Sequence, residues 1–355
     1  MLSSDAVLMH RDIKTARLVF RDGTFRDMPE IYAPEHLPPG VTDAGTMSAW
    51  LLSRNMPKSR PFADSVFSRC GIRDGSGIPL IGRNASLTDC YWVSGQDFAD
   101  GSESWDDVNP WTSGWDTDGE KLFAGFPELV GSLASPDFAV SGFLPKVWVR
   151  EPDGMFLLKR DDDSGFGVFA EVASAFVADM LGIPHVPYFY SYTEGELCAA
   201  CPCILDDASR EMFTLQECGI LPEERELSVF YSDLGEESAY RSMQVLDFLI
   251  AGFRRKSSDM AFIRDSVSLE FLGTAPLYDH GDCFRPVEEG DMRSKIQSLQ
   301  NGIRFTARKE LDPDYTCLFL KGLGEKFGIG EEALEVSVSQ FRQRAMIYNT
   351  ALKRG

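Results

Sequence analysis

The stretch that most limits what this chain can become is 245–284, VLDFLIAGFRRKSSDMAFIRDSVSLEFLGTAPLYDHGDCF. It opens on the end of an apolar helix and passes through a short basic and polar turn. Two strand-like segments follow, and then Tyr278-Asp279-His280-Gly281. Asp259 and Asp279 each come just after a break in the apolar pattern. A carboxylate on a tight turn after a strand is well placed to hold Mg²⁺ against phosphate oxygens. Asp-x-Gly is common in turns, so the tripeptide means little without its surroundings.

Before that stretch the chain is organised by its periodicities. Residues 5–33 alternate as strands, with Arg21-Asp22-Gly23 as a hairpin turn. Residues 36–41, HLPPGV, read as a rigid loop; MSAWLLSRNM (47–56) and PFADSVFSRCGI (61–72) carry apolar residues at helical spacing. SLTDCYWV (86–93) reads as a helix start or strand entry, with Ser86 and Asp89 as a capping pair. Trp105, Trp111 and Trp115 lie among Asp106, Asp107, Asp116 and Asp118, which predicts an irregular segment pinned by buried indoles rather than a peptide-binding surface. Residues 131–136 form a plausible linker. After it come two strands joined by Pro152-Asp153-Gly154, and a helix from Phe169 to Met180 stopped by Gly182. Two strands around Glu194-Gly195-Glu196 follow, then a mixed acidic region, a helix over 237–250 and an amphipathic helical tail from about Asp291.

Charge and cysteine usage exclude several roles. Lys and Arg number 35 against 55 Asp and Glu, a formal net charge of -20. A phosphate backbone is repelled unless a local basic patch exists, and the longest basic cluster is Arg254-Arg255-Lys256. Direct DNA binding is therefore not expected, and any partner is expected to be an unidentified protein. No run of roughly twenty apolar residues suggests a membrane span. The N-terminus, MLSSDAVLMHRDIK, lacks the pattern of a signal peptide, and the eight Cys are scattered. A cytoplasmic chain with free thiols is the expectation. Cys198, Cys201 and Cys203 resemble a metal clip, but a structural zinc site wants four ligands, and packed strand thiols are the simpler reading.

Three further constellations gain meaning from their order. Ser141-Gly142 in SGFLPK, near the strand lysine Lys159, could cover phosphates with backbone amides and neutralise them with an ammonium group. Glu171 follows on the next helix, where it could pair with Lys159 or stand as a solvated acid at the helix start. Asp279 closes the series. Glycine hairpin, strand lysine, helix glutamate, long helix, loop, strand pair and Asp-x-Gly occur in the order used by protein kinases.

The chain resembles the HipA-like bacterial kinases, in particular the CtkA-type subgroup, over nearly its whole length. The resemblance rests on VLMHRDI (7–13), SLTDCYWV (86–93), SWDDVNPW (104–111), SPDFAVSGFLPKVW (135–148), FLLK (156–159), AEVAS (170–174), LGIPHVPY (181–188), VLDFLIA (245–251), FIRD (262–265) and LGTAPLYDHG (272–281). It implies an α+β, two-lobed protein-kinase-like fold with an additional N-terminal α/β region. The implied division is a region over 1–130 packing on a small lobe at 131–205, then a helical large lobe at 206–355. It also implies ATP and Mg²⁺ as cofactors and phosphate transfer to Ser or Thr. Ser141, Gly142, Lys159, Glu171 and Asp279 would handle the nucleotide, and Asp259 and Asp279 the metal.

The catalytic loop departs from the family pattern, Asn-Thr-Asp-Arg-His-x-x-Asn-Phe-Gly. Aligned without gaps, Arg254 takes the place of the general-base aspartate and Asp259 that of the metal-binding asparagine. A guanidinium stays protonated at physiological pH and cannot accept the substrate's hydroxyl proton. The expectation is a nucleotide-binding pseudokinase or strongly impaired kinase. An active enzyme using another base, such as Asp259, and an interaction module that binds no nucleotide remain open. Arg254 could instead pair with a phosphate or with Asp279. His10 and His280 are expected to be structural.

Overall fold

A computed structural model describes residues 3–21, 24–69, 81–95, 103–131, 135–142, 144–161, 164–193, 195–220 and 224–354. The turn expected at Asp22-Gly23, Cys70, residues 96–102 of the Trp-rich segment, the middle of the 131–136 linker and Glu194 lie outside the described residues. Strands run over Ser3–His10 (β1), Ile13–Arg21 (β2), Thr24–Ile31 (β3), Tyr91–Gly95 (β4), Lys146–Glu151 (β5), Gly154–Lys159 (β6), Phe189–Thr193 (β7), Glu196–Pro202 (β8), Arg210–Thr214 (β9), Ala261–Asp265 (β10) and Phe271–Thr274 (β11). Helices run over Ala44–Ser53 (α1), Ala63–Arg69 (α2), Trp105–Val108 (α3), Asp118–Phe123 (α4), Phe166–Leu181 (α5), Glu224–Asp233 (α6), Glu237–Ile250 (α7), Glu289–Ser294 (α8), Ile296–Gly302 (α9), Pro313–Lys326 (α10) and Glu331–Leu352 (α11). The chain divides into two compact units. One joins Met1–Leu157, Leu205–Leu221 and Ala261–Gly273; the other joins Leu158–Ile204, Pro222–Met260 and Thr274–Gly355.

In the first unit the alternating segments form an antiparallel sheet in the order β3-β2-β1-β4. Strand period puts Leu8, Leu18 and Phe20 on one face, where Trp50 and Leu51 of α1 and Val93 of β4 pack against them. Each such side chain contributes about 1.5–3 kcal/mol on full burial. Asp43 caps α1 through a reciprocal pair of bonds with Thr46. The capping pair expected at Ser86 and Asp89 starts no helix. Ser86 Oγ accepts from the Thr88 amide at 3.1 Å, Asp89 accepts from the Tyr91 amide at 2.9 Å and forms a buried ion pair with Arg54. The chain there enters β4, because β1 offers an antiparallel edge to its aromatic and branched residues. Trp105 is buried, whereas Trp111 and Trp115 are half-buried, with the Arg150 guanidinium 5.0 Å from the Trp115 ring centre.

The expected strand pair at 261–274 is present and is joined by β9 in the order β11-β10-β9. Glu211 of β9 is fully buried and accepts from Arg264 Nε at 2.8 Å and the Cys90 amide at 2.8 Å, with His10 Nε2 at 2.9 Å. His10 thus sits in a structural knot, as expected.

The second unit is built around α5. Gly165 starts this helix at φ 62°, and a Cβ there would run into the Phe327 carbonyl. Gly182 ends it at φ 65°, donating to Ala178 and Asp179 carbonyls. β7 and β8 form an antiparallel hairpin, with Cys198 and Cys201 buried on β8. An aromatic ladder crosses the unit: ring centres of Phe169 and Phe284 are 5.7 Å apart, and those of Phe284 and Phe341 are 5.8 Å apart. Among the described residues, no helix is long and apolar enough to cross a membrane.

Candidate functional site

The second unit gathers Lys159, Glu171 and Asp279 at one point. Lys159 ends β6, Glu171 lies on the buried face of α5, and Asp279 follows a strand bridge in which Val186 donates to the Leu277 carbonyl at 2.8 Å. Lys159 Nζ donates to Glu171 Oε1 at 2.5 Å, to Asp279 Oδ1 at 2.7 Å and to the Tyr188 hydroxyl at 3.1 Å. The Glu171 carboxylate also accepts the His280 amide at 2.8 Å, which ties the helix to the Asp-x-Gly turn. Asp279 adopts φ 57°, a left-handed conformation uncommon outside glycine. Its side chain is 38% exposed, against 3% for Lys159 and 0% for Glu171. The cluster therefore presents one open carboxylate on a closed ionic base.

Electrostatics follow from that burial. Desolvation opposes charge on Lys159, yet Asp279 and Glu171 hold its pKa well above the ordinary lysine value. Burial pushes the Glu171 carboxyl up, and Lys159 draws it back. Because Lys159 Nζ and the His280 amide both donate to Glu171, we assign the proton to the lysine. The His280 ring is buried with neither nitrogen hydrogen-bonded among the described residues, and desolvation lowers its pKa well below the usual value. Burial thus favours the neutral ring.

The loop after α7 is held by a pair that the sequence reading did not single out. Arg255 clasps Asp247 of α7, with Nε 2.8 Å from Oδ2 and Nη2 2.5 Å from Oδ1. The same guanidinium lies 3.4 Å from both the Asp259 and Tyr278 carbonyls. One side chain thus joins the end of α7, the polar loop and the residue before Asp279. Gly252 is packed so closely on Asp247 that an added Cβ would crowd its carboxylate. A carboxylate inside the apolar run VLDFLIA, followed by a basic triplet, was the available signal for this pair. Tyr188 was likewise missed, because its role depends on three-dimensional proximity alone.

Asp259 accepts from Ser258 Oγ at 2.7 Å and from the Lys256 amide at 2.9 Å. Burial raises its pKa, and the Asp279 charge raises it further. Two carboxylates that destabilise each other's charge are a donor set suited to a hard divalent cation with oxygen ligands. Arg254 is exposed, and a cation already lies against Asp279 in Lys159. Ser141 and Gly142 belong to the first unit, where Gly142 has φ 94° and Ser141 O accepts from Lys146 Nζ at 2.8 Å. A separate apolar depression of about 350 Å³ is lined by Tyr190, Tyr315, Leu318, Phe319 and Lys326, and includes none of the clustered carboxylates. Among the described residues, no group of three or more His, Cys, Asp or Glu forms a metal cluster.

No protein-family model and no curated protein matches the chain. Among solved structures, one similar to it is a complex of the Shewanella oneidensis MR-1 toxin–antitoxin system, HipA and HipB with operator DNA. The match has a TM-score of 0.57 and 11% identity, and covers 98% of this chain and 97% of that one. The chain has the HipA-like kinase fold. The Helicobacter pylori proinflammatory kinase CtkA is matched over 60% of this chain and 93% of its own, with 12% identity and a TM-score of 0.43. In the HipA-like fold, helices and antiparallel sheets combine as an α+β architecture, as the sequence led us to expect.

Proposed function

We propose that this protein binds ATP with Mg²⁺ and is a pseudokinase or a strongly impaired kinase. The observation that carries the reading is the bonding of Lys159 Nζ to both Glu171 and Asp279. In kinase chemistry the lysine–glutamate pair serves the nucleotide's phosphates and the aspartate their Mg²⁺. Lys159 would neutralise phosphate oxygens, with Glu171 fixing its direction. Asp279 and Asp259 would hold Mg²⁺, which supplies charge neutralisation to the phosphates when bound. Arg254 stands where the family pattern has its base. It cannot take a proton from an approaching hydroxyl and brings a cation to the place where that group must be oriented.

A second reading, an active Ser/Thr phosphotransferase using Asp259 as base, is favoured by the raised pKa of Asp259. Both of its oxygens, however, already accept hydrogen bonds within the loop. Calorimetry with MgATP and transfer of label from γ-labelled ATP separate the readings. Wild-type protein is expected to bind MgATP and transfer no label, and Arg254→Asp to gain transfer. Label transfer by the wild type that disappears in Asp279→Ala would establish the active enzyme. Absence of MgATP binding would leave the interaction module.

A further inference from the structure

Arg60 is a buried cation with an unusual set of partners. Its side chain is 4% exposed and donates to three carbonyls of one short segment. Nη2 donates to Val140 O, to Ser141 O at 3.1 Å and to Gly142 O at 3.1 Å, and Nε donates to Gly142 O at 3.2 Å. Desolvation lowers its pKa to about 10, with Asp137 opposing the shift. At that value the guanidinium remains charged at neutral pH, so the segment's carbonyls are turned toward a permanent cation.

Peptide geometry then fixes where the amides go. In a planar trans peptide the C=O and the following N–H point in opposite directions. With the Val140 and Ser141 carbonyls directed at Arg60, the N–H groups of Ser141 and Gly142 are directed away from it. Neither amide has an acceptor among the described residues. Gly142 allows this arrangement through φ 94°, and an added Cβ would collide with Lys146 Nζ, which itself bonds to Ser141 O. Successive free amides of this kind form an anion-binding concavity.

The geometry points to Arg60 as a positioning residue that turns the Ser141 and Gly142 amides outward to bind phosphate oxygens. The two amides form an anion site within the first unit, for which phosphate is the fitting oxyanion. Arg60 does not touch the ligand; it acts by ordering the loop that does. The sequence reading of Ser141-Gly142 contained no hint of it, since Arg60 lies some eighty residues earlier in the chain.

The test uses the full chain and three probes with Mg²⁺ present: ATP, inorganic tripolyphosphate and adenosine. Arg60→Gln is expected to bind ATP and tripolyphosphate roughly tenfold more weakly, the cost of about one charge-assisted hydrogen bond. Adenosine, which has no phosphate, should bind with unchanged affinity. Gly142→Ala should reproduce this pattern without altering Arg60, and it carries the test if Arg60→Gln does not fold. Unchanged ATP and tripolyphosphate affinities in a folded variant, or equal weakening of adenosine, overturn the assignment. Tripolyphosphate binding that depends on Arg60, without ATP binding by the wild type, keeps the anion loop and removes the nucleotide reading. If the wild type binds neither phosphate probe, both fall.

Discussion

Lys159 shows how stability and ligand handling become bound together in one side chain. Its ammonium is buried, and so is the Glu171 carboxylate that neutralises it. Replacing the lysine removes a phosphate contact and also leaves an uncompensated buried carboxylate. Lys159→Met should therefore cost about 3–5 kcal/mol of stability in urea denaturation and abolish MgATP binding by calorimetry. Adding Glu171→Gln should recover much of the stability and none of the binding. Unchanged stability in the single variant would show that Glu171 is neutral in the native protein. The candidates Lys159, Glu171 and Asp279 were legible in the sequence through their residue types and their order on strand, helix and turn. Tyr188, Asp247 and Arg255 were not. Their roles come from approach across the fold: Lys159 reaches the Tyr188 hydroxyl 29 positions away, and Arg255 grips Asp247 across a loop.

At the scale of elements, helix boundaries were readable where backbone chemistry dictates them. Gly182 ends α5 with the left-handed residue that a C-cap requires, and α7 covers 237–250 as its apolar spacing predicted. The start of α5 is different. Gly165 is required by its left-handed φ and also by the Phe327 carbonyl, contributed by the chain just after α10. Gly165→Ala should cost at least about 1–2 kcal/mol from the left-handed conformation alone, with more from the crowded carbonyl. A fall in Tm of several degrees is expected, whereas Gly195→Ala, also at positive φ but with nothing near a new Cβ, should cost less. Equal effects would mean that the carbonyl relaxes freely. Residues 86–93 mark the limit of local reading. A Ser and an Asp at capping spacing served a turn and a buried ion pair instead, because the β1 edge was there to be paired.

At the scale of the whole molecule, the acidic balance makes buried carboxylates matter. Asp137 accepts from Ser135 Oγ and the Trp148 amide, and burial pushes its pKa up to about 6. An unfolded Asp titrates near ~3.9. The folded state therefore holds this proton more tightly. The associated stability is fully present below the unfolded value and is lost as pH rises through about 6. A Tm series from about pH 3 to about pH 8, a range that covers both the unfolded and the folded value, should show Asp137→Asn with a weaker decline on the alkaline side than wild type. Parallel curves would mean that Asp137 is ionised at no cost. The strand-rich start and the helical end were determined by the sequence itself, because alternation, helical spacing and turn residues act over a few positions, whereas the fold class was legible only through the resemblance. The tertiary structure alone decided which of these groups meet. Compact units drawn from three separated stretches each and the Arg60 grip on Ser141-Gly142 depend on long-range approach. Their hydrogen bonds join groups whose partners leave no mark in the local pattern, so the stretch that suggested a kinase loop became interpretable only once its side chains had neighbours.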